Sequence, residues 1–287
     1  MHIHLAIGDH GAAAVSRHTG HNVLAYRENL LEGYVPPLHH CDDRDRYIAE
    51  RASTIEALGW ATAEEAEASL RSFLMTVSDD AVIALTLWHD GDFFDSLHLA
   101  NIVAVTRLQG RGTPPPSIMV QPYTMPANAG EHERPLHTAE RMTLLDHEIV
   151  SFDAFWHSYT SGDASSFQSL VDSLRNSPSP LISSFASQCI EAFVPEEDGL
   201  LSYERNMLRY LKASNEGQAH IDVEALNRAA GAMAPVTDVL LRELWHRFVA
   251  HGASSQIPVS IENVIADLRV ATINHPINRS RQPRIVG

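Results

Sequence analysis

The chain has 287 residues, 44% of them hydrophobic, which is enough for two folded domains with real cores and excludes a disorder-dominated protein. A formal net charge of −15 argues against a nucleic-acid coat over the whole surface. No apolar run approaches the roughly 20 residues of a bilayer span, and Met1-His-Ile-His lacks the basic start of a secretory signal, so the chain reads as cytoplasmic with no membrane partner.

In chain order, Ile3-His-Leu-Ala-Ile7 reads as a strand, Gly8-Asp-His-Gly11 as a turn and Ala12 to Arg17 as a helix. Val23 to Tyr26 is a second strand, left through Arg27-Glu-Asn-Leu-Leu-Glu-Gly33 before Pro36 and Pro37 interrupt the pattern. Asp43 to Leu58 and Thr62 to Val77 read as helices, the second opening on Thr62-Ala-Glu-Glu65, a capping-box spacing. Val82 to Trp88 is a third strand. The helix expected over Asp92 to Leu108 is apolar nearly all round and must therefore be buried against a sheet.

Gly110-Arg-Gly-Thr-Pro-Pro-Pro116 ends that helix, and Ser117 to Val120 reads as a fourth strand. Strands separated by helices predict a parallel, three-layer, Rossmann-like α/β domain over 1–125. Residues 126–135 are the linker candidate. Beyond them Thr138 to Ile149, Ser151 to Ser161, Ser165 to Leu174 and Leu181 to Phe193 read as helices, giving a helical region over 136–198. Residues 199–287 read as an all-α, winged-helix-like region. The charge changes along the way: 1–125 holds 16 acids and 8 bases, 126–198 holds 12 and 3, and 199–287 holds 8 and 10. Cys41 and Cys189 lie far apart with no CxxC partner, which supports neither a disulfide framework nor a zinc ribbon.

In an open parallel sheet, ligands bind outside the carboxyl ends of the strands, where loops and helix N-termini converge. Three polar motifs fall at such ends: Gly8 and Asp9 after the first strand, Arg27 and Glu32 after the second, and His89, Asp90, Asp92 and Asp95 after the third. Gly8, Asp9, Arg27 and Glu32 are the candidate ligand-binding residues. Asp90, His89 and Asp95 are the candidates for general acid–base work, and Asp90 with Asp92 would suit a hard divalent cation such as Mg²⁺. The plain alternative for the third motif is helix capping, since Asp92 and Asp95 have the spacing of an N-cap and its partner three residues on. For Gly8 to Gly11 the alternative is a simple tight turn, because the full dinucleotide or P-loop spacing is missing. His2 and His4 have a zinc-pair spacing but begin the strand, at the end away from such sites, and the other histidines read as solvated surface.

The motifs Ile3-His-Leu-Ala-Ile-Gly-Asp9, Tyr26-Arg-Glu-Asn-Leu-Leu-Glu-Gly33, Leu87-Trp-His-Asp-Gly-Asp-Phe-Phe-Asp-Ser-Leu-His-Leu99 and Gly199-Leu-Leu-Ser-Tyr-Glu-Arg205 resemble, in this order, a bacterial family known only as domain of unknown function eighteen thirty-five. The resemblance implies a Rossmann-like N-terminal domain with a helical C-terminal region, and Asp9, Arg27, Glu32, Asp90 and Asp95 as motif positions. Departures from the family pattern fall at His10, Tyr34 and Ser96.

Two kinds of function follow. One is a binder of a small molecule, a nucleotide or phosphorylated metabolite, with metal-assisted catalysis as its extension. The alternative is a ligand-responsive transcriptional regulator or interaction scaffold that uses 199–287, although a charge of about +2 there predicts weak nucleic-acid binding at most.

Overall fold

The computed structural model describes residues 1–31, 33–38, 43–91, 93–108, 114–124 and 136–193. The linker candidate 126–135, the winged-helix-like region 199–287, Glu32, Cys41 and Asp92 lie outside the described residues. The chain divides into two compact units, Met1–Ser161 and Gly162–Gly287. Among the described residues no helix is long and apolar enough to cross a membrane.

The first unit is α/β. Its elements are β1 (His2–Ile7), α1 (Gly8–Thr19), β2 (Val23–Tyr26), α2 (Arg44–Ala57), α3 (Ala63–Val77), β3 (Ala84–His89), α4 (Phe93–Thr106), β4 (Ser117–Thr124), β5 (His137–Thr138), β6 (Met142–Thr143) and α5 (Asp146–Ser161). Strands β2, β1, β3 and β4 lie side by side and parallel, in that order. The wholly parallel sheet expected from the alternation is corrected to a mixed one, because β5 and β6 both join β4 antiparallel.

The sequence predicted a helix from Thr138 to Ile149. Its first half instead forms β5 and β6, which satisfy the outer backbone edge of β4 (Met119 opposite Thr143, Tyr123 opposite Thr138). An open sheet edge of eight residues outweighs local helix preference there. The helix starts only at Asp146, fixed by Glu148 accepting the Leu145 amide at 2.9 Å, and then runs unbroken through the interruption expected at Val150. α1 likewise takes Gly8 to Gly11 as its first turn, where a separate loop was predicted.

Alternation along the strands gives three layers. Ala6, Trp88 and Tyr123 face α1, whose Ala12 and Val15 complete a small core with Leu136. On the other face Tyr26 stacks on Phe73 of α3 and its hydroxyl donates to Asn101 of α4, while His89 meets Ser96 of α4. Helix α4 buries thirteen of its fourteen residues, as its all-round apolar sequence requires. The predicted capping box at α3 is present: Thr62 Oγ1 accepts the Glu65 amide at 3.3 Å, and Glu65 accepts the Thr62 amide at 3.0 Å.

The described part of the second unit is a pair of packed helices, α6 (Ala164–Arg175) and α7 (Pro180–Phe193). Asp163 caps α6 through the amides of Ser165 and Ser166, and hydrogen bonds from those two residues hold its pKa down at about 2. Phe167 and Phe193 meet edge to face, and Cys189 is a buried thiol whose pKa burial raises.

Candidate functional site

The strand register sets one row of ends. Ile7 pairs with Tyr26, Leu5 pairs with Leu87 so that two residues on Ile7 reaches the level of His89, and His89 pairs with Pro122. Gly8, Arg27 and Asp90, each the next residue, therefore leave the sheet along one edge, with neighbouring strands about 4.8 Å apart.

At the end of β1 the chain turns directly into α1. Ile7 occupies the cap position with extended backbone, and no side chain caps the helix there. Gly8 takes φ +67°, a conformation that other residues adopt at a cost, and a Cβ built on it would meet no atom within 4 Å. Open space thus lies before the first turn of a twelve-residue helix. Asp9 in that turn accepts a hydrogen bond from Arg27 Nε at 2.7 Å, and both side chains are largely exposed, at 62% for Arg27 and 71% for Asp9. The partner of Arg27 across the β1–β2 gap is Asp9.

Glu28 instead turns inward to Arg51 of α2. The two side chains are essentially inaccessible, and Glu28 Oε1 lies 2.8 Å from Nε and 2.7 Å from Nη2. Arg51 also donates to the carbonyls of Tyr34, at 2.9 Å, and of Asn29. His98 of α4 lies between the carbonyls of Glu28 (2.7 Å) and Phe94 (2.6 Å), and Tyr47 and Tyr26 both reach Asn101. Burial drives the His98 pKa down against the two carbonyls. This corrects the reading of the remaining histidines as solvated surface, since His98 is wholly buried. The sequence signal for Arg51 was its place on the stripe Tyr47, Ile48, Arg51 and Ala52, the buried face of α2.

At the end of β3, His89 is 6% exposed. Its Nδ1 accepts the Gly91 amide at 2.9 Å, so the proton of the neutral ring sits on Nε2 and points to Ser96 Oγ, 3.1 Å away. Burial pushes its pKa down to about 4. Asp95 is buried and accepts the Asp90 amide at 2.6 Å, closing the strand–helix junction, whereas the Asp90 side chain is exposed. His89 and Asp95 thus shape the junction, to which Asp90 contributes its backbone amide while its side chain is exposed. Among the described residues no three His, Cys, Asp or Glu side chains are placed to share a metal ion.

His2 and His4 project from one face at the far end of β1. They stack on each other at 4.7 Å, and His4 stacks on His21 at 4.6 Å while its Nδ1 accepts Trp88 Nε1–H at 3.2 Å. Ring stacking and an indole donor account for this pair.

A cavity of about 400 Å³, which no motif or period announces, lies along the outer edge of β2. It is bounded by residues 24–29, by one face of α3, and by Ile55, Trp60 and Ala61 around the α2–α3 connection. Arg27 belongs both to this wall and to the Asp9 pair.

Neither a protein-family profile nor a curated protein sequence matches this chain.

Proposed function

We propose that this protein binds a small phosphorylated sugar or nucleotide over the carboxyl edge of its sheet, and that its motifs belong with the domain family they resemble. The observation that carries this reading is the uncapped, open N-terminus of α1 beside Arg27. The first amides of a helix lack intrahelical partners and carry partial positive charge, which suits a phosphate. Asp9 in the same turn disfavours a bare anion. A sugar phosphate resolves that conflict: its phosphate accepts from the α1 amides and the Arg27 guanidinium, and a hydroxyl donates to the Asp9 carboxylate. Asp90, whose side chain is exposed at the neighbouring strand end, would accept from further hydroxyls or ligate a Mg²⁺ ion that accompanies a polyphosphate.

Calorimetric titration of the full chain with ribose 5-phosphate, ADP and inorganic phosphate tests this. Ribose 5-phosphate and ADP are expected to bind more tightly than inorganic phosphate. Arg27→Ala, at an exposed position, should weaken both at least tenfold without altering the unfolding midpoint. Equal affinities for the wild type and Arg27→Ala, or no binding of either ligand, overturn the proposal.

A further inference from the structure

We infer that the cavity along the outer edge of β2 receives the heteroaromatic base of a nucleotide, an inference that rests on the sugar-phosphate reading of the neighbouring crevice. Its volume of about 400 Å³ lies within the roughly 300–1,000 Å³ of small-molecule sites. The chemistry of its walls is more specific than its size.

β2 ends the sheet on this side among the described residues. In a parallel ladder, alternate residues direct both amide and carbonyl to the same side, so two of the four residues of β2 turn theirs away from β1. A row of adjacent backbone donors and acceptors matches the edge of a nucleic-acid base, which carries the same groups in one plane. An aliphatic ligand would leave those groups without partners.

The remaining walls fit a flat ring. Half-buried Trp60 and the Phe73 ring supply aromatic surface, and the exposed residues Ser69 and Ser72, three apart on α3, present hydroxyls opposite the strand. Arg27 joins the two sites, since it lines the cavity and meets Asp9 in the first turn of α1. A base against β2 and a phosphate at α1 would thus lie on either side of one guanidinium.

The test uses AMP and ribose 5-phosphate, which share the sugar phosphate and differ in the base, titrated into the full chain and into Ser69→Leu. Leucine is a good helix former at this exposed position and projects into the cavity. AMP is expected to bind the wild type at least tenfold more tightly than ribose 5-phosphate. In Ser69→Leu that advantage should vanish while ribose 5-phosphate binding is unchanged, and Trp60→Ala should reduce the advantage in the same direction. Equal binding of the two ligands by the wild type, or an AMP affinity insensitive to both substitutions, overturns the base site and leaves the crevice reading standing. If AMP binds and Ser69→Leu weakens it but Arg27→Ala does not, the crevice reading fails and the cavity stands; if neither ligand binds, both fall.

Discussion

Acid should unfold the first unit through His89. The ring is 6% exposed, its Nδ1 accepts the Gly91 amide, and burial lowers its pKa from 6.5 to about 4. The folded state therefore binds this proton less readily than the unfolded chain. The stability so contributed is complete above pH 6.5 and is lost as the pH falls from there toward 4. At 1.36 kcal/mol per tenfold change in proton affinity, the full loss is about 3 kcal/mol, an upper bound because His89 can be relieved by local opening around the end of β3. The assay is urea unfolding at pH 7.5, 6.5, 5.5 and 4.5, comparing the wild type with His89→Gln. Glutamine keeps a neutral amide in place of the ring. The wild type should lose about 2 to 3 kcal/mol more than the variant across this range. His4, whose pKa burial and the neighbouring His2 also lower to about 4, contributes to both proteins and cancels in the difference. Parallel pH profiles for the two proteins would refute the assignment of His89 as a buried neutral ring.

Arg51→Met leaves the Glu28 carboxylate and the carbonyls of Asn29 and Tyr34 without their donor, and should cost about 3–5 kcal/mol by equilibrium unfolding; a loss below about 1 kcal/mol would mean that water replaces the guanidinium. Gly33→Ala sets a Cβ 2.5 Å from Thr54 Cγ2 at φ +71°, so strain and overpacking together should cost about 3 kcal/mol, and adding Thr54→Ser should recover the overpacking part but not the strain. Asp90→Asn changes an exposed side chain and should move stability by no more than about 0.5 kcal/mol, whereas Asp95→Ala removes the acceptor of the Asp90 amide and should cost about 1–3 kcal/mol. Equal effects of those last two substitutions would make Asp90 part of the junction.

The elements that the sequence announced are those whose signal is local. The apolar run ending at Trp88, the all-round apolar α4 and the Thr62–Glu65 capping box each carry their own period or cap, and each lies within two residues of its expected place. β5 and β6 failed to show because strands of two residues have no period of their own; they exist because β4 offers an edge. The row of strand ends bearing Gly8, Arg27 and Asp90 was legible from strand order alone, as parallel strands end together. The partners were not. Arg27 could be matched to any acid nearby in sequence, and only the β1–β2 register brings Asp9 to it from 18 residues away. Glu28 and Arg51 are 23 residues apart on a loop and a helix, a pairing without a sequence period, and the cavity at β2 depends on how α3 packs.

The polar groups beneath the crevice follow from one backbone problem. After β2 the chain passes through residues 28–31 and 33–38 without regular structure, yet Leu30, Leu31, Val35 and Leu38 are buried there. A buried irregular segment has carbonyls that no ladder satisfies, and each one left unpaired is costly. Side chains from three helices meet that need: His98 of α4 lies on the Glu28 carbonyl, Arg51 of α2 donates to those of Asn29 and Tyr34, and Tyr159 of α5 donates to that of Leu30 at 2.7 Å. The Arg51 charge is then balanced by Glu28, the first residue of the same segment. Arg27 directly precedes this segment, so its main chain is held by the buried cluster although its side chain is mostly in solvent. A site of this kind separates its duties by position: the exposed guanidinium can be exchanged to alter what binds, while the buried one one helix away cannot be touched without loosening the strand end that carries it.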